Sequence, residues 1–329
     1  MKAVQPVHVI YQDERQCIYE IENGLHVRDV VIEAGIGEPV YIGHLSDLHY
    51  NYCNQQDFQE ANPVVMSTYE NRQWLAHGES VPTGRKCLAF LEDADQLVVN
   101  GDTMDYLSHG CMELMQKEIW DRYPEVLASL GGHEITRRMQ GKIEDPASLE
   151  SRLDILKAFW KHDIYYVSKV IKEKVMLVVF FNDRATVNEE QLRRFRADLK
   201  LAREKGYIML LFAHEPIRTC NPKEKCIEHK DVIQIGDPSG YPINFCDGLM
   251  LNNHKMMGND ACDPATKAMY QEITNNADVI KAFFAGHRHS HIYLEIQARN
   301  ADGTSGMIPQ FINTASAYQA GHAMRITVK

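Results

Sequence analysis

An α/β fold, with its chemistry carried at the carboxyl ends of buried strands, is what this sequence predicts, and three observations predict it. Five short apolar runs each end in a polar residue able to bind a metal. Amphipathic helical stretches lie between those runs, which is the alternation of an α/β sheet. The 329 residues, 44% hydrophobic and 24% charged, hold enough apolar mass for a sizeable core.

The runs come in this order: 39–46 before Asp47, 96–101 before Asp102, 126–132 before His133, 208–213 before His214, and 279–286 before His287. Segments this short and this apolar suit strands buried on both faces. In such sheets ligands bind where the carboxyl ends of strands meet the loops. Between the runs, 148–162 places Leu153, Leu156, Phe159 and Trp160 on one helical face, and 188–205 does the same with Leu192, Phe195 and Leu199. Asn188, with Gln191 three residues on, reads as a helix start. Residues 7–34 alternate around Glu22-Asn-Gly24 and read as a β-hairpin at a sheet edge. Residues 307–329 are strand-like. The segments 51–86 and 220–263 lack a strong period and read as excursions over the site. Nothing divides the chain, so a single domain is expected: an N-terminal hairpin over about 1–40, a core over 41–291 and C-terminal strands over 292–329.

A net charge of -10 disfavours non-specific nucleic-acid binding, but not an anionic substrate held by a metal's own field. No secretory signal and no apolar stretch of about 18 residues is visible, so a cytoplasmic protein with no membrane span is expected. The eight cysteines contain no C-x-x-C pair and read as reduced thiols. Four of them, Cys220, Cys226, Cys246 and Cys262, fall close enough to keep a structural zinc or disulfide as the lesser alternative.

The run ends carry the chemistry. Asp47 and His49, two apart in extended chain, point to one side and can bind one cation together. Asp102, behind Gly101 and followed by Asp105, is a carboxylate able to bridge two cations. His133, after Gly131-Gly132, can serve as a proton donor. His214 directly follows its run. Gly286-His287-Arg288-His289 sets two imidazoles pointing together, with His291 close by reading as an ordinary surface residue. Each motif alone is common. Five of them in one order, each at a strand end, form the argument.

That order resembles the calcineurin-like metallophosphoesterase superfamily, whose motifs run D-x-H, G-D-x-x-D, G-N-H-[D/E], H and G-H-x-H. The match covers roughly residues 41–291. The resemblance implies a four-layered α/β/β/α sandwich with two central mixed sheets. It implies one metal site of Asp47, His49, Asp102 and His289, and a second of Asp102, His214 and His287. His133 would be the proton donor and Asp105 the acid that orients it. The implied activity is hydrolysis of a phosphomonoester or phosphodiester by a metal-bound hydroxide. One or two transition-metal ions are expected, manganese, iron, zinc or nickel, since mixed N/O ligands suit these. Arg184 and Arg288 are candidate contacts to the phosphorylated substrate. One position departs from the pattern: Gly132 stands where the family has a metal-binding Asn, so a second site with three protein ligands is expected. A scaffold that lost the chemistry and a nuclease-type member are the alternative readings.

Overall fold

In the computed structural model the chain folds into two mixed sheets, and the structure describes residues 4–60, 63–73, 80–135, 146–182, 186–217, 264–287, 289, 291–313, 316–317 and 321–329. The first sheet contains β1 (His8–Gln12), β2 (Gln16–Glu20), β3 (His26–Ile32), β4 (Val40–Leu45), β5 (Gln96–Asn100) and β6 (Leu127–Ser129). The second contains β7 (Tyr166–Ile171), β8 (Val175–Phe180), β9 (Ile208–Ala213), β10 (Ile280–Ala285), β11 (Ile292–Arg299) and β12 (Ser305–Ile312). β13 (His322–Val328) returns to the first sheet, whose order is β1-β2-β3-β13-β4-β5-β6; the second runs β11-β12-β10-β9-β8-β7. β4, β5 and β6 are parallel neighbours, as are β8, β9 and β10.

The sheets stack face to face, with helices outside each. The reason is legible along single strands. In β8, Val175, Leu177 and Val179 enter the core between the sheets, whereas Met176, Val178 and Phe180 enter the core under the outer helices. β9 alternates in the same way, Leu210 and Phe212 against Met209 and Leu211. A strand with an apolar core on each side reads as an unbroken apolar run. From the first sheet Ile42, Val98 and Leu127 face the second, while Leu97, Val99 and Ala128 face the opposite helices. Four layers, α/β/β/α, result.

The helices over the first sheet include α1 (Gln55–Glu60), α2 (Pro63–Gln73), α3 (Ser80–Phe90), α4 (His109–Met115), α5 (Gly132–Ile135) and α6 (Pro146–Phe159). α7 (Glu189–Lys205) and α8 (Pro264–Thr274) cover the second. α7 begins with the capping box of Asn188 and Gln191 and ends at Gly206 in the left-handed conformation. Among the described residues no helix is long and apolar enough to cross a membrane.

Two expectations change here. The N-terminal segment is a three-stranded meander and not a hairpin: a turn at 13–15 joins β1 to β2, and Asn23-Gly24 joins β2 to β3. Segment 51–86 is largely helical in its described part, and α3 buries Cys87 and Leu88 in the core. Its residues follow no strict apolar period because α1 and α2 pack on one another and on the loops of the site as well as on the core. Cys17, Cys53, Cys87 and Cys111 are free thiols. The other four cysteines, and segment 220–263 that contains them, lie outside the described residues.

Candidate metal centre

β4, β5 and β6 end beside β9 and β10, so the loops after five strands converge. The loop after β4 continues to pair with the loop after β5: Asp47 N donates to Gly101 O (3.0 Å) and His49 N to Asp102 O (2.8 Å). Within the second sheet the loops after β10 and β9 pair likewise, Gly286 N donating to His214 O (2.9 Å). Two glycines let these loops close in. A Cβ on Gly131 would collide with Asp102, and one on Gly286 would collide with the Ser46 hydroxyl and the Asp47 carboxylate.

Two groups of candidate ligand atoms lie side by side. Asp47, His49 and His289 form one; Asp102, His214 and His287 form the other. Asp47 Oδ1 is 3.2 Å from His289 Nε2, 3.7 Å from His49 Nε2 and 3.9 Å from His214 Nε2, which links the groups. His214 Nε2 is 3.1 Å from Asp102 Oδ2. The sequence-predicted ligands are thus brought together, and no candidate ligand stands apart.

The outer contacts of these side chains decide which atoms face inward. His49 Nδ1 donates to Asp105 Oδ1 at 2.8 Å, and His214 Nδ1 donates to the Asn100 carbonyl at 2.9 Å. Each ring therefore turns the Nε2 lone pair toward the centre. His214 Nε2 is buried and makes no hydrogen bond. Asp47 Oδ2 accepts from Ser46 and from the His287 amide, and Asp102 Oδ1 accepts from the His133 amide, so each carboxylate keeps its other oxygen for the cluster. Paired imidazole lone pairs, 3.2 Å apart for His49 and His289, repel unless a proton or a cation lies between them. This donor set fits a transition-metal ion.

Charge leads to the same conclusion. Burial alone would raise the three carboxylates. The imidazoles outweigh it, His214 foremost for Asp47 and Asp102, and hydrogen bonds from His133 and His49 for Asp105, so all three sit below the ordinary carboxylate range. In return, and against the burial that disfavours their charge, Asp102 and Asp47 hold His214 well above an ordinary imidazole, and Asp105 and Asp47 raise His49 to about 9. A buried anionic cluster of this kind demands compensating positive charge, from protons or from metal.

His133 stands at the rim. Its Nδ1 is 3.0 Å from both Asp105 Oδ1 and the Asp105 carbonyl, two acceptors, so Nδ1 carries a proton and Nε2 faces Asp102 Oδ2 at 3.8 Å. His49, Asp105 and His133 also cluster closely enough to suggest a further site. Asp105, however, is committed to the Nδ1 protons of both rings, so the trio is a hydrogen-bonded support.

The backbone records the same convergence. Among the described residues the non-glycine positions with positive φ are Asp47, His49, Asp102, His287 and His289, plus Lys172 and Glu173 in the β7–β8 turn. Sparse conformations of this sort gather where function over-determines them.

Four residues escaped the sequence reading. Asn100 donates to the carbonyls of Ala213 and Phe284 and accepts from Ser129, joining the sheets directly under the centre. Glu134 accepts from the amides of Gly131, Met104 and Asp102, tying two loops. Arg72 and Asn51 both bind Asp105. The adjacency of Asn100 to Gly101-Asp102 and of Glu134 to His133 was a visible signal for the first two; no pattern marks Arg72. His291 is buried, not superficial. Arg184 and Arg288 lie outside the described residues.

No family model matches the chain, and no curated protein matches it. Solved structures are matched loosely. A putative 5'-nucleotidase from Staphylococcus aureus in complex with α-ketoglutarate shares 14% identity over 88% of this chain and 51% of its own, at a TM-score of 0.38. A dimetal phosphatase from Danio rerio shares 14% over 88% of this chain and 92% of its own, at 0.40. A purple acid phosphatase from yellow lupin (Lupinus luteus) seeds shares 12% over 91% and 49%, at 0.45. The chain thus spans about half the length of the first and third of these.

Proposed function

We propose that this chain is a metal-dependent phosphoester hydrolase with a two-cation centre. The observation that carries the reading is the pairing of two ligand groups, Asp47, His49 and His289 beside Asp102, His214 and His287, with His133 at their rim. Cations bound there would supply Lewis acidity to the phosphate oxygens and lower the pKa of an attacking water. Asp102 would be the bridging ligand by the resemblance, its Oδ2 lying 3.1 Å from His214, and Asp47 Oδ1, 3.2 Å from His289 and 3.9 Å from His214, reaches toward both groups.

The protein's own part is orientation and proton handling. Asp105 accepts the Nδ1 proton of His133 and so supports the ring in its imidazolium form, whose second proton, on Nε2, faces the cluster where a leaving alkoxide would need it. Glu134 holds the loops of Asp102 and Gly131 at a fixed spacing. Gly132 contributes no side chain, so the second group acts with its three ligands, which favours easier loss of that cation. A phosphomonoester and a phosphodiester both satisfy this chemistry.

The test is elemental analysis for manganese, iron, zinc and nickel, paired with turnover of p-nitrophenyl phosphate and its bis ester. Wild type should hold transition metal and turn over at least one reporter. His289→Ala should lose metal and activity together. His133→Asn should keep its metal and lose about 10²–10⁴ in kcat. Neither metal nor turnover in wild type, even with added manganese, would leave a scaffold as the better reading.

A further inference from the structure

The hydrogen bonds of the centre converge on one carboxylate, and the strongest come from an element outside the five motifs. Arg72, in the last turn of α2, donates from Nε to Asp105 Oδ2 at 2.7 Å and from Nη2 to Asp105 Oδ1 at 2.6 Å. Both oxygens are thus held in a two-pronged, charge-assisted grip. In that orientation Oδ1 also receives Nδ1 of His49 (2.8 Å) and Nδ1 of His133 (3.0 Å), and Asn51 Nδ2 reaches Oδ2 at 3.2 Å.

A carboxylate held by two imidazoles alone can rotate about its Cβ–Cγ bond, and each ring can follow it. The guanidinium plane removes that freedom, because rotation would break two short ionic hydrogen bonds at once. The grip is largely shielded from water, with 11% of the Arg72 side chain exposed and 3% of Asp105, so solvent screens it little.

We propose that Arg72 is a positioning residue of this centre: through Asp105 it sets the ring of His49, a ligand of one cation, and the ring of His133, the proton donor. The proposal rests on the hydrolase reading above and names a residue that reading does not require. A direct contact to substrate phosphate is the competing role for a cation at this place. Positioning is favoured because one of the two bidentate edges of the guanidinium, Nε–Nη2, is committed to Asp105. Lysine offers a single point charge and no fork, so it cannot make the same grip.

The experiment measures manganese(II) affinity of the metal-stripped protein by chelator competition, alongside kcat and KM on the preferred aryl phosphate. The variants are Arg72→Met, Arg72→Lys, Asp105→Asn and the Arg72→Met/Asp105→Asn pair. Arg72→Met should weaken manganese binding by about 10–100-fold and lower kcat by a similar factor, with KM little changed. Arg72→Lys should recover only a small part. In the Asp105→Asn background, Arg72→Met should add almost nothing, because the two act as one unit. Wild-type affinity and kcat in Arg72→Met would overturn the proposal. So would an effect confined to KM, or one that persists undiminished without the Asp105 carboxylate. If Arg72→Met does not fold, Arg72→Lys and its pair with Asp105→Asn carry the same comparison. A wild type that binds no metal overturns the hydrolase reading, and this proposal with it; a wild type that binds metal while Arg72→Met matches it overturns the role of Arg72 alone.

Discussion

Left-handed backbone at a non-glycine residue costs on the order of 1–3 kcal/mol, and five candidate ligands adopt it. The bent backbone aims each side chain inward while its neighbours pair across loops, so the cost is met by hydrogen bonds such as Asp47 N to Gly101 O. Space is equally constrained. Gly286→Ala would press a methyl group into Ser46 and Asp47. We expect it to lower unfolding free energy by about 1–3 kcal/mol and to abolish metal retention, read by urea titration and elemental analysis. An unchanged metal content would mean that the loops shift to make room. At this scale the candidate ligands were legible in the sequence, because each follows an apolar run. Arg72 was not. A salt bridge between residues 33 apart leaves no periodic trace, and α2 has none of its own.

Five strand ends build the site, and one side chain joins their two sheets. Asn100 closes β5 of the first sheet, while the carbonyls it binds, Ala213 and Phe284, belong to β9 and β10 of the second. Its own carbonyl accepts from His214 Nδ1 and from Ser46. Asn100→Ala strands buried carbonyls and the Ser129 hydroxyl, each at about 1–3 kcal/mol. A fall in the thermal midpoint, accompanied by loss of metal, should follow; a variant as stable as wild type would show that water replaces the amide. The five runs were legible as strands because both faces of each meet a core, which makes each an unbroken apolar run, and because runs so short suit a buried strand better than a helix. The 51–86 helices were hidden for the opposite reason: several partners cover several faces, and no single stripe emerges.

Across the molecule, burial leaves imidazoles that the centre does not use. It pushes His44 and His322 down to about 3 from an ordinary 6.5, with nearby His26 adding to the effect at His322. As pH falls below about 6.5 the unfolded chain takes up protons that the folded chain refuses, so stability is full above that pH and declines toward pH 3. Each group contributes a slope of ~1.4 kcal/mol per pH unit. In the metal-loaded protein, where His49 and His214 are held as ligands, the urea midpoint should be flat from pH 8 to 6.5 and drop steeply by pH 5, and His322→Gln should flatten the drop; a midpoint unchanged at pH 5 would contradict the burial argument. The four-layer arrangement itself was legible through its motifs, whereas the place of the last strand was not, because pairing partners nearly the whole chain apart leave no local sign. β13 lies between β3, parallel to it, and β4, antiparallel to it. Until residues 322–328 emerge during synthesis, β3 and β4 each present a bare edge, and the first sheet exists as two unjoined pieces. Such edges recruit strands from other molecules. The interval between making β4 and making β13 is therefore when a nascent chain is most exposed to mispairing, and when a chaperone would matter most.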